Sequence, residues 1–205
     1  MADCVYLYRV RVDSGLAPCV QDGLWTLACC KGGYVRKGRN RSTGIRYWVG
    51  DKRHANWEQD RVYVGGTYQE HLLYLARVTE VKTMEEYFSS LAMGRLDAIY
   101  DGSLKRNRHL ANLGIHMTKE EQQRDRLGKY VLCSDDFIYW GKGSGLAPIL
   151  ENGPKRQETK RFTDPEQIFG LLTVCKEGWD HKSHEPHDPL SKRCGQRGCA
   201  AGCGG

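Results

Sequence analysis

Apolar and polar positions alternate through "CVYLYRVRV" (4–12), a stretch rich in β-branched and aromatic residues, and this spacing predicts a strand. "LWTLACC" (24–30) is a short apolar run that fits a buried strand or a helix turn equally well. "IRYWVGD" (45–51) and "RVYVGGTY" (61–68) read as strands, and "EHLLYLARVTEVK" (70–82) is the strongest strand pattern in the chain. "TMEEYFSSLAMG" (83–94) reads as a helix, with Thr83 as its cap, Glu86 closing a capping box and Gly94 as the stop. A second capping signature pairs Thr118 with Glu121. "YVLCSDDFIYWG" (130–141) reads as strand, turn and strand, and "DPEQIFGLLTVC" (164–175) as a helix capped by Asp164 with Pro165 in its first turn. Strands dominate the first half, without regular β-α-β alternation. The expected class is α+β: a mixed or mostly antiparallel curved sheet with a few inserted helices, with a small barrel of the PUA/EVE kind as the variant of that plan. Residues 1–178 are read as one globular domain and 179–205 as a flexible tail rich in His, Cys and Gly.

A length of 205 residues suits one domain with one substantial core. No apolar run reaches the roughly 18 residues that a membrane helix needs, and the N-terminus has no signal-peptide pattern. Nine cysteines without an export signal point to reduced thiols and a cytoplasmic protein. There is no Walker or dinucleotide glycine fingerprint, and nothing in the chain specifies a cofactor. The net charge of +6 favours an anionic partner. Its distribution is more informative, because residues 31–53 carry eight Lys or Arg against one Asp.

One pentapeptide, Ser-Gly-Leu-Ala-Pro, occurs twice, starting at Ser14 and Ser144. The flanks of the two copies do not align, so this is two turns rather than a duplication, and only the first is preceded by an acid, Asp13. "DSGLAP", "TLACCK", an Arg-containing loop, "YWVG", "LLYLARVTE" before "MEEYF", "DAIYD" and "VLCSDDFIYWG" follow one another in an order that resembles the nucleotide modification associated domain 2 family, over about residues 5–178. The resemblance implies a nucleotide or DNA base-modification setting in a phage or bacterium. DNA or a nucleotide would be the partner, other base-modification enzymes would be companions, and no membrane would be involved. It supplies no reaction and no catalytic residues.

The residues themselves suggest where the chemistry lies. Asp13 and Asp101 are candidate acid–base groups, each with turn capping as its alternative role. Cys30, beside Lys31, is a candidate nucleophile, because a neighbouring cation favours thiolate; the alternative is a small buried hydrophobe. Lys31, Arg36, Arg39 and Arg46 are candidate phosphate contacts, with Trp48 and Tyr139 as stacking platforms for a base. His181, His184, Cys194 and Cys199 in the tail offer a weak zinc alternative, since their spacing fits no standard finger. Two functions remain open: an enzyme that alters or transfers a group to a base or nucleotide, and a non-catalytic reader that recognises a modified base.

Overall fold

The computed structural model describes residues 3–36, 39–107, 116, 118–141, 148–150, 153–155 and 158–176. Its centre is a five-stranded sheet of β1 (Asp3–Arg9), β6 (Arg61–Tyr68), β7 (His71–Arg77), β10 (Asp136–Tyr139) and β11 (Thr159–Phe162), in the order β10-β7-β6-β1-β11. β1 runs parallel to β6, and the other pairs are antiparallel. A second, antiparallel sheet joins β2 (Cys19–Gln21), β3 (Leu24–Leu27), β9 (Tyr130–Ser134) and β8 (Glu80–Thr83) in the order β2-β3-β9-β8. β4 (Tyr34–Arg36) and β5 (Arg39–Arg41) form a separate two-stranded ribbon. The class is α+β, as expected. The sheets are open, and the described residues form no closed barrel, so the PUA/EVE variant gives way to curved open sheets.

Alternation along β1 turns out to run between two apolar faces. Cys4, Tyr6, Tyr8 and Val10 pack with Trp25, Leu27 and Tyr74 in the core between the sheets. Val5 and Leu7 point the other way, onto Ile138, Trp140 and, from α4 (Pro165–Lys176), Ile168 and Cys175. A strand covered on both faces reads as a nearly continuous apolar run. The second sheet is covered by α2 (Met84–Glu86) and the π-helical stretch Tyr87–Leu91 that continues it, through Met84, Tyr87 and Phe88 against Val131 and Cys133. Three predicted caps are present. Thr83 and Thr118 each close a full capping box, and Asp164 Oδ1 accepts from the Gln167 amide at 2.9 Å.

Two elements differ from the sequence reading. The 70–82 run is two strands, β7 and β8, broken at Val78 and Thr79. Residues 45–50, read as a strand, form a helix, α1 (Ile45–Gly50). Its composition favours a strand, but Ile45 and Val49 are four apart, so one helical face seats both in the core. Tertiary packing overrides propensity here.

The same helix changes the role of Arg46. It was a candidate phosphate contact, yet it is fully buried, and its guanidinium donates to the carbonyls of Ala28 and Asp125. It therefore ties the end of β3 to α3 (Lys119–Arg126) and is not available to a phosphate. Arg46→Met preserves the bulk and leaves both carbonyls without this donor. Denaturant unfolding is expected to show a loss of roughly 3 kcal/mol. A loss below about 0.5 kcal/mol, as for an exposed arginine, would contradict this role.

Candidate functional site

After Leu27 the chain leaves β3, turns sharply and enters the ribbon. The turn is tight, because Cys30 has φ 57° and Lys31 φ 46°, both left-handed. Two successive non-glycine residues in that region store backbone strain, which persists where the surroundings enforce it and concentrates at functional positions. Gly32 is required here: a Cβ would lie 2.1 Å from the Arg124 carbonyl oxygen. Gly44 is required for the same reason, since its Cβ would lie 1.8 Å from the Lys31 carbonyl oxygen. The "KGG" after the cysteines thus lets the turn press against the end of α3.

This turn places Cys30 in contact with two residues far away in sequence. Its Sγ lies 3.4 Å from His116 Nε2. His116 Nδ1 in turn lies 2.5 Å from Asp125 Oδ2. The other carboxylate oxygen, Oδ1, accepts the Cys30 backbone N–H at 2.6 Å, and the Tyr100 hydroxyl donates to Oδ2 at 2.7 Å. His116 and Asp125 are both about 2% exposed at the side chain. Burial alone would raise the Asp125 carboxyl, but its interactions with His116, Arg46 and the Tyr100 hydroxyl outweigh it and hold the group below its ordinary 3.8. Burial, followed by the Asp125 charge, pushes the Tyr100 hydroxyl well up, so it stays a donor. Thiol, imidazole and oriented carboxylate are the three parts of a nucleophile–base–orienter set.

Cys30 and His116 open onto a cavity of about 620 Å³, within the roughly 300–1,000 Å³ typical of small-molecule sites. Its walls come from β1, the Cys30 turn, α1, α3 and β11. Tyr6, Tyr8, Tyr34 and Trp48 supply aromatic surface, and Arg9, Lys31, Arg53, Arg124 and Arg161 supply positive charge against Glu121, Asp125 and Glu158. Lys31 Nζ sits over the Tyr8 ring, 5.4 Å from its centroid. Trp48 is 37% exposed, stacks near His54 at 4.2 Å and donates from Nε1 to the Thr43 carbonyl at 3.0 Å. Arg53 is held in place by both oxygens of Asp51 and by Tyr47.

The structure thus brings Cys30, Lys31 and Trp48 to one cavity and places the other described candidates away from its lining. Asp13 is buried outside the cavity lining and accepts from the Tyr139 hydroxyl. Tyr139, proposed as a stacking platform, is itself 1% exposed and stacked on Tyr74, so a base has no access to it. Asp101 is exposed and caps its own turn, with Oδ1 accepting from the Ser103 and Lys105 amides at 2.9 Å. Arg39 lies exposed on the ribbon. The Arg36 side chain, residues 142–147 of the second Ser-Gly-Leu-Ala-Pro turn, and His181, His184, Cys194 and Cys199 lie outside the described residues.

Sequence reasoning missed His116 and Asp125. Asp125 is the one buried residue of α3, whose sequence KEEQQRDR is wholly polar, so hydrophobic periodicity selects no inward face. His116 is one of two histidines in the basic stretch 101–118 of the sequence, 86 positions from Cys30. The Thr118 capping box was the usable signal: it fixes the start of α3, and with it the direction of Asp125.

The other described thiols contrast with Cys30. Burial pushes Cys19, Cys133 and Cys175 up to about 12, whereas Cys30 is partly exposed and lines the cavity. Brief treatment with iodoacetamide, followed by peptide mapping, is expected to modify Cys30 before any other cysteine within residues 3–176. Faster modification of Cys19, Cys133 or Cys175 would contradict the geometry.

No helix among the described residues is long and apolar enough to cross a membrane. No curated protein and no solved structure matches the chain. A family model does match, that of nucleotide modification associated domain 2, and it covers residues 2–193. That span takes in the Cys30 turn, His116, Asp125 and every wall of the cavity, and the chain belongs to the nucleotide modification associated domain 2 family.

Proposed function

We propose that the protein is an enzyme that uses Cys30 as a covalent nucleophile on a base, or on a base-borne group, of a nucleotide. The observation that carries this reading is the continuous contact from Cys30 Sγ to His116 Nε2 and from His116 Nδ1 to Asp125, inside an aromatic and basic cavity. The Sγ–H proton passes to Nε2 as the Sγ–carbon bond forms, and the displaced π electron pair moves onto an electronegative atom of the substrate. Asp125 holds the imidazole in orientation and offsets its positive charge. The cations lining the cavity face the negative charge that develops on the substrate. The electron pair then returns as His116 gives its proton to the leaving group, an amine or a hydroxyl. A water or amine acceptor gives its proton to His116 as it adds to the same carbon, and collapse of that adduct releases the product while Cys30 departs as thiolate and takes the proton back. Aromatic side chains at the mouth, Trp48 and Tyr34, suit the face of a base.

A second reading rests on one further observation. The ligand atoms of Cys29, Cys30 and His116 all lie within 4.8 Å of one another, a donor set that zinc accepts. A carboxylate behind the histidine also fits a metal ligand. Against this, Cys29 is fully buried in an apolar cluster, with its Sγ–H directed at the Leu16 carbonyl at 3.7 Å, and it does not line the cavity. The nucleophile reading needs no rearrangement of Cys29.

Nucleosides from the DNA of cells producing the protein provide the test. Mass spectrometry is expected to show a modified nucleoside with the wild-type protein and none with Cys30→Ala or His116→Ala, while Asp125→Asn cuts its yield by roughly 10²–10⁴-fold. The purified protein is expected to contain no stoichiometric zinc. Full activity in Cys30→Ala would remove the nucleophile, and no modified nucleoside with the wild-type protein would favour a reader. Stoichiometric zinc that Cys29→Ala abolishes would establish the metal reading instead.

A further inference from the structure

The β4–β5 ribbon lies outside both main sheets, and three residues a side is too little to be stable alone in water. Its base is seated on the site: a Cβ on Gly33 would meet the Arg41 carbonyl oxygen at 2.4 Å and the Leu127 Cβ at 2.7 Å. Tyr34, opposite Arg41 in register, lines the cavity while remaining 45% exposed. Beyond it, Arg39, Asn40 and Arg41 are all exposed.

Surface arginines differ in their partners, and some, Arg9 and Arg126 among them, donate to backbone carbonyls. Arg53, Arg61, Arg77 and Arg124 each pair with a carboxylate, Asp51, Asp3, Asp136 and Glu120 respectively. Arg39 and Arg41 pair with no acid among the described residues. Across the ribbon, position 36 faces position 39, and both are arginine. Residues two apart on a strand share a face, so Arg39 and Arg41 present their charges on the same side, about 7 Å apart. Two cations at that separation can reach neighbouring phosphates of one strand. A free nucleotide would be held within the cavity and would leave the ribbon without a ligand.

We propose that the base enters the Cys30 cavity while still part of a nucleic-acid strand, extruded from its stack, with Arg39 and Arg41 gripping the phosphates beside it. The claim about the base rests on the nucleophile reading above, whereas the grip of the ribbon on a strand does not. Tyr34 and Trp48 then stand where an extruded base passes from ribbon to cavity.

Fluorescence anisotropy with labelled single-stranded DNA, duplex DNA and RNA tests this, with a mononucleotide as competitor. Arg39→Gln/Arg41→Gln is expected to weaken strand binding about tenfold at low salt and to flatten the salt slope of log affinity by about 1.4–1.8, as two phosphate contacts are lost. Arg39→Glu/Arg41→Glu is expected to weaken it further. Mononucleotide affinity, the melting temperature and the rate of Cys30 alkylation are expected to stay unchanged in both. Undiminished strand binding by both double variants would overturn the proposal, and so would an equal loss of mononucleotide binding. Loss of strand binding alongside full nucleoside modification in Cys30→Ala would sink the nucleophile reading and leave the ribbon's role standing. Whichever polymer shows the ribbon-dependent slope is the strand that the ribbon holds.

Discussion

The Asp125 carboxylate holds the site together. A buried carboxylate is costly unless its oxygens are satisfied. Here one oxygen takes the Cys30 amide, and the other takes His116 and Tyr100, while Arg46 holds the Asp125 carbonyl. Each bond that offsets the cost of burying the charge also fixes a functional part. The amide bond holds the strained Cys30 turn, the imidazole contact aims Nε2 at sulfur, and Arg46 fastens α3 to the end of β3. Stability and preorganisation are the same interactions at this point of the fold.

The architecture follows from that requirement. The turn carrying Cys30 has to leave the second sheet next to the end of the first, because Tyr8 of β1 and Ile45 of α1 close the cavity behind it. Gly32 and Gly44 allow the backbones to approach at the distances this needs. The first Ser-Gly-Leu-Ala-Pro turn contributes support rather than chemistry. Its preceding Asp13 accepts from Tyr139, which stacks on Tyr74, and Tyr74 donates to Tyr8 at the cavity wall. The repeated pentapeptide that stood out in the sequence is therefore linked to the site through a chain of tyrosines, at least in its first copy.

The sequence was most legible where one physical signal dominated. The capping boxes at Thr83 and Thr118, the strand–turn–strand of β9 and β10 and the strand at β1 all carry strong local patterns. Reading failed where tertiary packing overruled composition, as in α1, whose aromatic and β-branched residues mimic a strand. It failed more consequentially at α3. A helix without apolar residues offers no pattern to mark its inward face, so its buried Asp125 looked like any surface acid. Cys30 and Lys31 stand together in one short motif, whereas His116 and Asp125 reach the same cavity only through the fold. Arg46 and Tyr139 were misjudged for the complementary reason: residue type suggested a ligand contact, and burial assigned them to the interior.

In the nucleophile reading, His116 is held by Asp125 on one nitrogen and serves Cys30 with the other. Nitrogen NMR of imidazole-labelled protein reads both atoms directly. A His116 Nδ1 that carries a hydrogen-bonded proton and loses that signature in Asp125→Asn is expected, together with an Nε2 resonance that shifts in Cys30→Ala. A His116 spectrum that changes with neither substitution, in proteins that remain folded, would contradict it.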